Sequence, residues 1–97
     1  MTRAFVLFTI FLTSVMGCAR DLPVAESKAA SCTACHGLDG ISNNDQWPNL
    51  AGQKQGYLAA QLKAYRSGER KDAMMSPLAK PLSDAEIDML AAYFSSL

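Results

Sequence analysis

Cys32-Thr33-Ala34-Cys35-His36 carries the most specific chemistry in this 97-residue chain. Two cysteines three apart, with a histidine directly after the second, form the attachment signature of a c-type haem. The spacing has a chemical reason. The two thiols add across the two vinyl groups on one edge of a porphyrin. The histidine one step later is then placed to meet the iron as an axial ligand. A bare CxxC also serves as a redox disulfide or as half of a zinc site. Zinc needs about four ligands, and the chain offers only His36, the two motif cysteines and Cys18. A thioredoxin-like dithiol belongs in a βαβ context, which does not surround this motif. Covalent haem is the preferred reading, ahead of a dithiol and of a metal site.

The N-terminus addresses the compartment. Residues 1–17 carry Arg3 and then a mostly apolar run from Ala4 to Met16. The run is too short and wrongly flanked for a membrane span and reads as a secretory signal. Val15-Met16-Gly17-Cys18 resembles the lipobox of bacterial lipoproteins. That resemblance implies a diacylglycerol thioether on Cys18, which cleavage leaves as the new N-terminus, and so a lipid anchor to a membrane facing the periplasm. Ala19 is non-acidic, which by the same resemblance favours the outer membrane. The alternative is ordinary cleavage after Ala19, which yields a free periplasmic protein. Three cysteines leave one unpaired after haem attachment, and a lipid accounts for it.

Removing residues 1–17 leaves 80 residues: a tether over 18–24 and one domain over 25–97. A hydrophobic core alone is marginal at this size. A covalent haem adds an apolar disc to the core, so the apo-protein should fold poorly, as small metal-dependent domains do. Loss of Arg3 leaves 8 basic against 9 acidic residues, a formal charge of −1. There is no basic stripe and no basic–aromatic alternation, which excludes nucleic acid as a partner. Nothing points to a small-molecule substrate.

The pattern predicts an all-α domain without sheet. A short first helix runs over Ala25–Ser31 into the motif. A Gly- and Asn-rich loop covers 37–56. A second helix spans Tyr57–Ser67, with Leu58, Leu62 and Tyr65 on one face and Gly68 as its stop. A third begins at Ser83, where Ser83 and Glu86 have capping-box spacing and Asp84 suits the positive helix end. Ile87, Leu90, Ala91 and Phe94 form its buried stripe.

The far side of the iron needs a second ligand. His36 is the only histidine, so bis-histidine ligation within one chain is excluded. A methionine thioether suits haem iron and raises its potential. Met1 and Met16 leave with the signal, and Met89 lies within the third helix. Met74 and Met75 remain, in the loop between the second and third helices.

The ordered elements of residues 25–97 resemble a class I cytochrome c, closest to short bacterial single-haem forms and to the modules of their di-haem relatives. The matching pieces are Cys32 to Gly37, Trp47-Pro48-Asn49-Leu50-Ala51-Gly52-Gln53, Tyr57-Leu58, Gln61-Leu62, Ser67-Gly68-Glu69-Arg70, and Met75-Ser76-Pro77-Leu78-Ala79 before Leu82-Ser83-Asp84. The resemblance implies three main helices and long loops around one covalent haem. It implies thioether bonds to Cys32 and Cys35 and axial ligation by His36 and Met75, with Met74 as the fallback. It also implies that the Pro48 carbonyl accepts a hydrogen bond from the free ring nitrogen of His36. Trp47 would pack at the haem edge, and Tyr65 or Arg70 could meet a propionate. One departure stands out: where the family's first helix offers a glycine at its crossing with the last, this chain has Ala25. A looser or shifted crossing is expected there.

These expectations make the protein an electron carrier rather than an enzyme. His/Met ligation keeps both iron states six-coordinate, so little reorganisation opposes transfer. Redox protein donors and acceptors of the respiratory chain would meet it in small, transient contacts. Near-neutral charge argues against long-range steering, and a tether partly substitutes for it. The alternative is a haem subunit of a larger periplasmic oxidoreductase. A third reading, a gas-binding haem with an open sixth site, requires that no methionine ligates.

Overall fold

The computed structural model describes residues 21–97. Four helices follow one another: α1 Asp21–His36, α2 Gln55–Ser67, α3 Met75–Ala79 and α4 Asp84–Ser95. Among the described residues there is no strand, as the absence of alternating β-branched runs predicts. Residues 1–17 and Cys18 lie outside the described residues.

α1 is longer than the sequence pattern predicts at both ends. It begins at Asp21, inside the stretch read as a tether, and continues through the whole CxxCH motif. Pro23 does not prevent this, because first-turn N–H groups have no intrahelical partner to lose. Ala25, Ala29, Cys32 and His36 recur at helical spacing and face inward; Ala25, Ala29 and His36 are buried. Gly37 stops the helix at φ +91°, and its N–H donates to Thr33 O at 2.9 Å.

α4 is the element against which both α1 and α2 pack. Its start is a complete capping box. Glu86 N donates to Ser83 Oγ at 3.1 Å and Ser83 N to Glu86 Oε1 at 3.3 Å. Ile87, Leu90, Ala91 and Phe94 are all buried, as their spacing predicts. Ala29 of α1 is fully buried in one cluster with Leu58, Leu90, Ala91 and Phe94. Ala29 thus seats α1 against α4, and Ala25, one turn earlier, is buried as well. Lys28 and Glu86 pair across the same contact.

α2 ends as expected at Gly68, φ +88°, whose N–H donates to Ala64 O. The connection from α2 to α4 is not a plain loop. It contains α3, which packs against α2 and opens at Met75. Pro77 hides this short helix in the sequence, yet as a first-turn residue it costs no helical hydrogen bond.

Candidate haem site

The core is thin. Among the described residues the buried large apolar side chains are Leu58, Ile87, Leu90 and Phe94, and the other buried hydrophobics are alanines. The centre is instead a cavity of about 510 Å³, within the roughly 300–1,000 Å³ typical of small-molecule and cofactor sites. Leu58, Leu62, Leu90 and Phe94 make its apolar wall.

α1 delivers the motif to this cavity. Cys32, Cys35 and His36 stand at i, i+3 and i+4, so one helical face carries all three, and all three line the cavity. The cysteines are not bonded to each other. Burial pushes the Cys32 thiol up from its ordinary value, with Cys35 adding to this and a Ser31 hydrogen bond opposing it. A reactive redox dithiol needs the opposite, a lowered thiol pKa.

His36 is 7 % exposed. Its Nδ1 lies 2.7 Å from the carbonyl oxygen of Pro48. A carbonyl only accepts, so Nδ1 carries the proton and the lone pair of the neutral ring is on Nε2. The 37–54 loop holds Pro48 in place. Leu50 N and Ala51 N both donate to Gly40 O, and Asn49 Oδ1 accepts from Ser42 N at 2.8 Å. Gly52 N donates to Phe94 O and ties the loop to α4. Trp47 is half-buried in the same cavity wall.

Both candidate methionines line this cavity. Met75 is half-buried, whereas Met74 is 52 % exposed. Met89 is not in the wall. Arg70 and Tyr65 are, with the guanidinium stacked 4.7 Å above the Tyr65 ring and donating to Gln61 Oε1 at 2.6 Å.

The donor set fits a covalent haem. Two unbridged cysteines, an imidazole with its lone pair on Nε2 and two thioethers share the wall of one apolar cavity. A family model described as Cytochrome c matches residues 25–97. The chain belongs to the cytochrome c family. Its cofactor is therefore haem c, covalently held at the CxxCH spacing, and it is an electron-transfer protein rather than an enzyme.

This cytochrome c is 47 % identical over 81 residues to cytochrome c-554(548) of Halomonas halodenitrificans, covering 80 % of this chain and 98 % of that one. It is 49 % identical over 74 residues to the thiosulfate dehydrogenase electron acceptor of Thiomonas intermedia, covering 75 % of this chain but only 34 % of that protein. Among solved structures, cytochrome c4 of Acidithiobacillus ferrooxidans superposes with a TM-score of 0.74 at 31 % identity. That match covers 80 % of this chain and 51 % of the other. The chain thus spans nearly all of the first relative, a third of the second and half of the third.

Sequence reasoning named the residues that the cavity gathers but missed some that shape it. Ala29 and Asp72 are the main omissions. Asp72 Oδ1 accepts from both Met74 N and Met75 N at 2.8 Å. An Asp three residues ahead of a short apolar run with an early proline is an N-cap signature that could have exposed it.

Proposed function

We propose that this cytochrome c is an exported, lipid-anchored electron carrier of the periplasm with one His/Met-ligated haem. Cys32 and Cys35 form the thioether bonds, His36 Nε2 and Met75 Sδ are the axial ligands, and Cys18 carries the lipid. The observation that carries the ligation is the 2.7 Å contact of His36 Nδ1 with Pro48 O. It leaves Nε2 as the donor nitrogen in a cavity whose wall includes Met75. The greater burial of Met75 supports it over Met74.

Haem c supplies a one-electron couple whose potential is set by axial ligands, hydrogen bonding and burial. The chain does the rest. The Pro48 carbonyl fixes the ring of His36 and raises its basicity. Leu58, Leu90 and Phe94 exclude water from the interior. Trp47 and Cys35 line both the central cavity and a shallow depression beside it, where Leu38 is 87 % exposed and Ile41 is exposed. This apolar rim at the thioether edge suits a small, transient redox contact.

No helix among the described residues is long and apolar enough to cross a membrane. In this reading, attachment rests on the leader and Cys18. The likeness to a thiosulfate dehydrogenase electron acceptor favours a second reading, in which this domain takes electrons from a catalytic partner. Co-purification with such a partner separates the two.

Visible and far-red spectra of both oxidation states test the ligation. The ferric protein should show the iron–thioether band. Met75→Ala should abolish that band and lower the potential while the haem stays covalently bound. A band that survives Met75→Ala and is lost in Met74→Ala reverses the choice of methionine.

A further inference from the structure

The turn before α3 is closed by one residue. Asp72 Oδ1 accepts from Met74 N and from Met75 N, each at 2.8 Å. Asp72 N donates to Ser76 Oγ at 3.0 Å, and Ser76 N donates back to Asp72 O at 3.1 Å. Four hydrogen bonds therefore tie Asp72 to the three residues Met74–Ser76. None involves the rest of the domain, and α3 itself is only five residues long. So short a helix has little stability of its own. Packing against α2 holds its body, and this clasp holds the backbone amides at its start.

We propose that Asp72 is the positioning residue for the axial methionine, holding Met75 in the cavity wall so that its thioether stays on the iron. This rests on the reading of Met75 as a ligand. Two amides fixed by one oxygen leave residues 74 and 75 little freedom to swing away. Without the cap, the segment opens more often. An external ligand then finds the iron free in a larger fraction of molecules, and its apparent affinity rises in proportion.

The test is imidazole titration of the ferric holoprotein, followed by loss of the far-red iron–thioether band. Asp72→Ala should bind imidazole about fivefold more tightly, the factor expected for one lost helix cap. Asp72→Asn keeps an oxygen that accepts from the same amides and should stay within about twofold of wild type. Ser83→Ala removes a cap from α4, away from Met75. It should lower thermal stability and leave imidazole affinity unchanged. Should Asp72→Ala fail to yield folded holoprotein, Ser76→Ala loosens the same clasp more gently and should shift affinity in the same direction.

Unchanged affinity in Asp72→Ala, or in Ser76→Ala where that variant stands in, overturns the proposal, and so does an equal rise in Ser83→Ala. Met75→Ala separates this from the ligation reading. A band lost in Met75→Ala with no effect of Asp72→Ala overturns the role of Asp72 alone. A band that survives Met75→Ala overturns both.

Discussion

His36 Nδ1 donates to the Pro48 carbonyl across 2.7 Å, joining residues twelve apart in sequence. One partner sits at the last position of α1 and the other in the 37–54 loop. The bond fixes which ring nitrogen is free, how the ring is turned and how basic it is. Helix and loop thus meet at the imidazole proposed as an iron ligand.

Pro48→Ala keeps the carbonyl but frees its backbone. A looser acceptor makes His36 less basic and stabilises the ferric state less, so the reduction potential should rise. A change of about 0.5–1.4 kcal/mol, the range of one hydrogen bond, corresponds to roughly 20–60 mV upward. Spectroelectrochemical titration measures it. A downward shift would contradict the assigned direction of the bond.

Gly37 and Gly68 both end helices at positive φ, but their surroundings differ. A Cβ on Gly37 would lie 1.9 Å from Ile41 O, whereas one on Gly68 meets nothing within 4 Å. Gly68→Ala should cost about 1 kcal/mol from backbone conformation alone. Gly37→Ala should cost more than about 3 kcal/mol, because the loop that bears Pro48 must also move. Denaturant unfolding of the holoproteins ranks them. Equal losses would mean the 37–41 turn yields freely.

α4 was legible because two independent signals agree there, the Ser83–Glu86 box and the Ile87, Leu90, Ala91, Phe94 stripe. The motif residues and Pro48 were legible through their chemistry and their family pattern. The length of α1 was not. Glu26, Ser27 and Lys28 between its inward alanines blur the apolar stripe, and Pro23 looks like a stop although it falls in a first turn. α3 escaped because five residues give no period and Pro77 suggests a loop. Asp72 escaped because its capping signature precedes a helix of only five residues, too short to draw attention to its start.

The anchor is tested through Cys18. Cys18→Ala should move the protein from the membrane to the soluble periplasmic fraction, with the visible spectrum unchanged. The anchor is what would raise the local concentration of partners on the same membrane. A variant that stays with the membrane would refute the lipid.

The contacts of α4 predict an acid limit to stability. Lys28, first, and then Ser83 hold the Glu86 carboxyl below its ordinary value. Arg66 does the same for Asp84, with Lys63 adding to it. A carboxyl depressed in the folded state is protonated first in the unfolded chain, so the unfolded state binds more protons as pH falls. The stabilisation is therefore complete above the ordinary carboxylate range, about pH 4–4.5, and fades as pH drops through the lower folded values. At fixed oxidation state, the melting temperature of the holoprotein should be flat from about pH 7 to 5 and fall below about pH 4.5. Glu86→Gln keeps an oxygen for Ser83 N and loses the charge that meets Lys28. The variant should melt lower at neutral pH and converge on wild type in acid, since a protonated Glu86 and the neutral amide that replaces it are then electrostatically alike. Parallel curves at all pH values would show that the Lys28–Glu86 pair contributes nothing to holding α1 on α4.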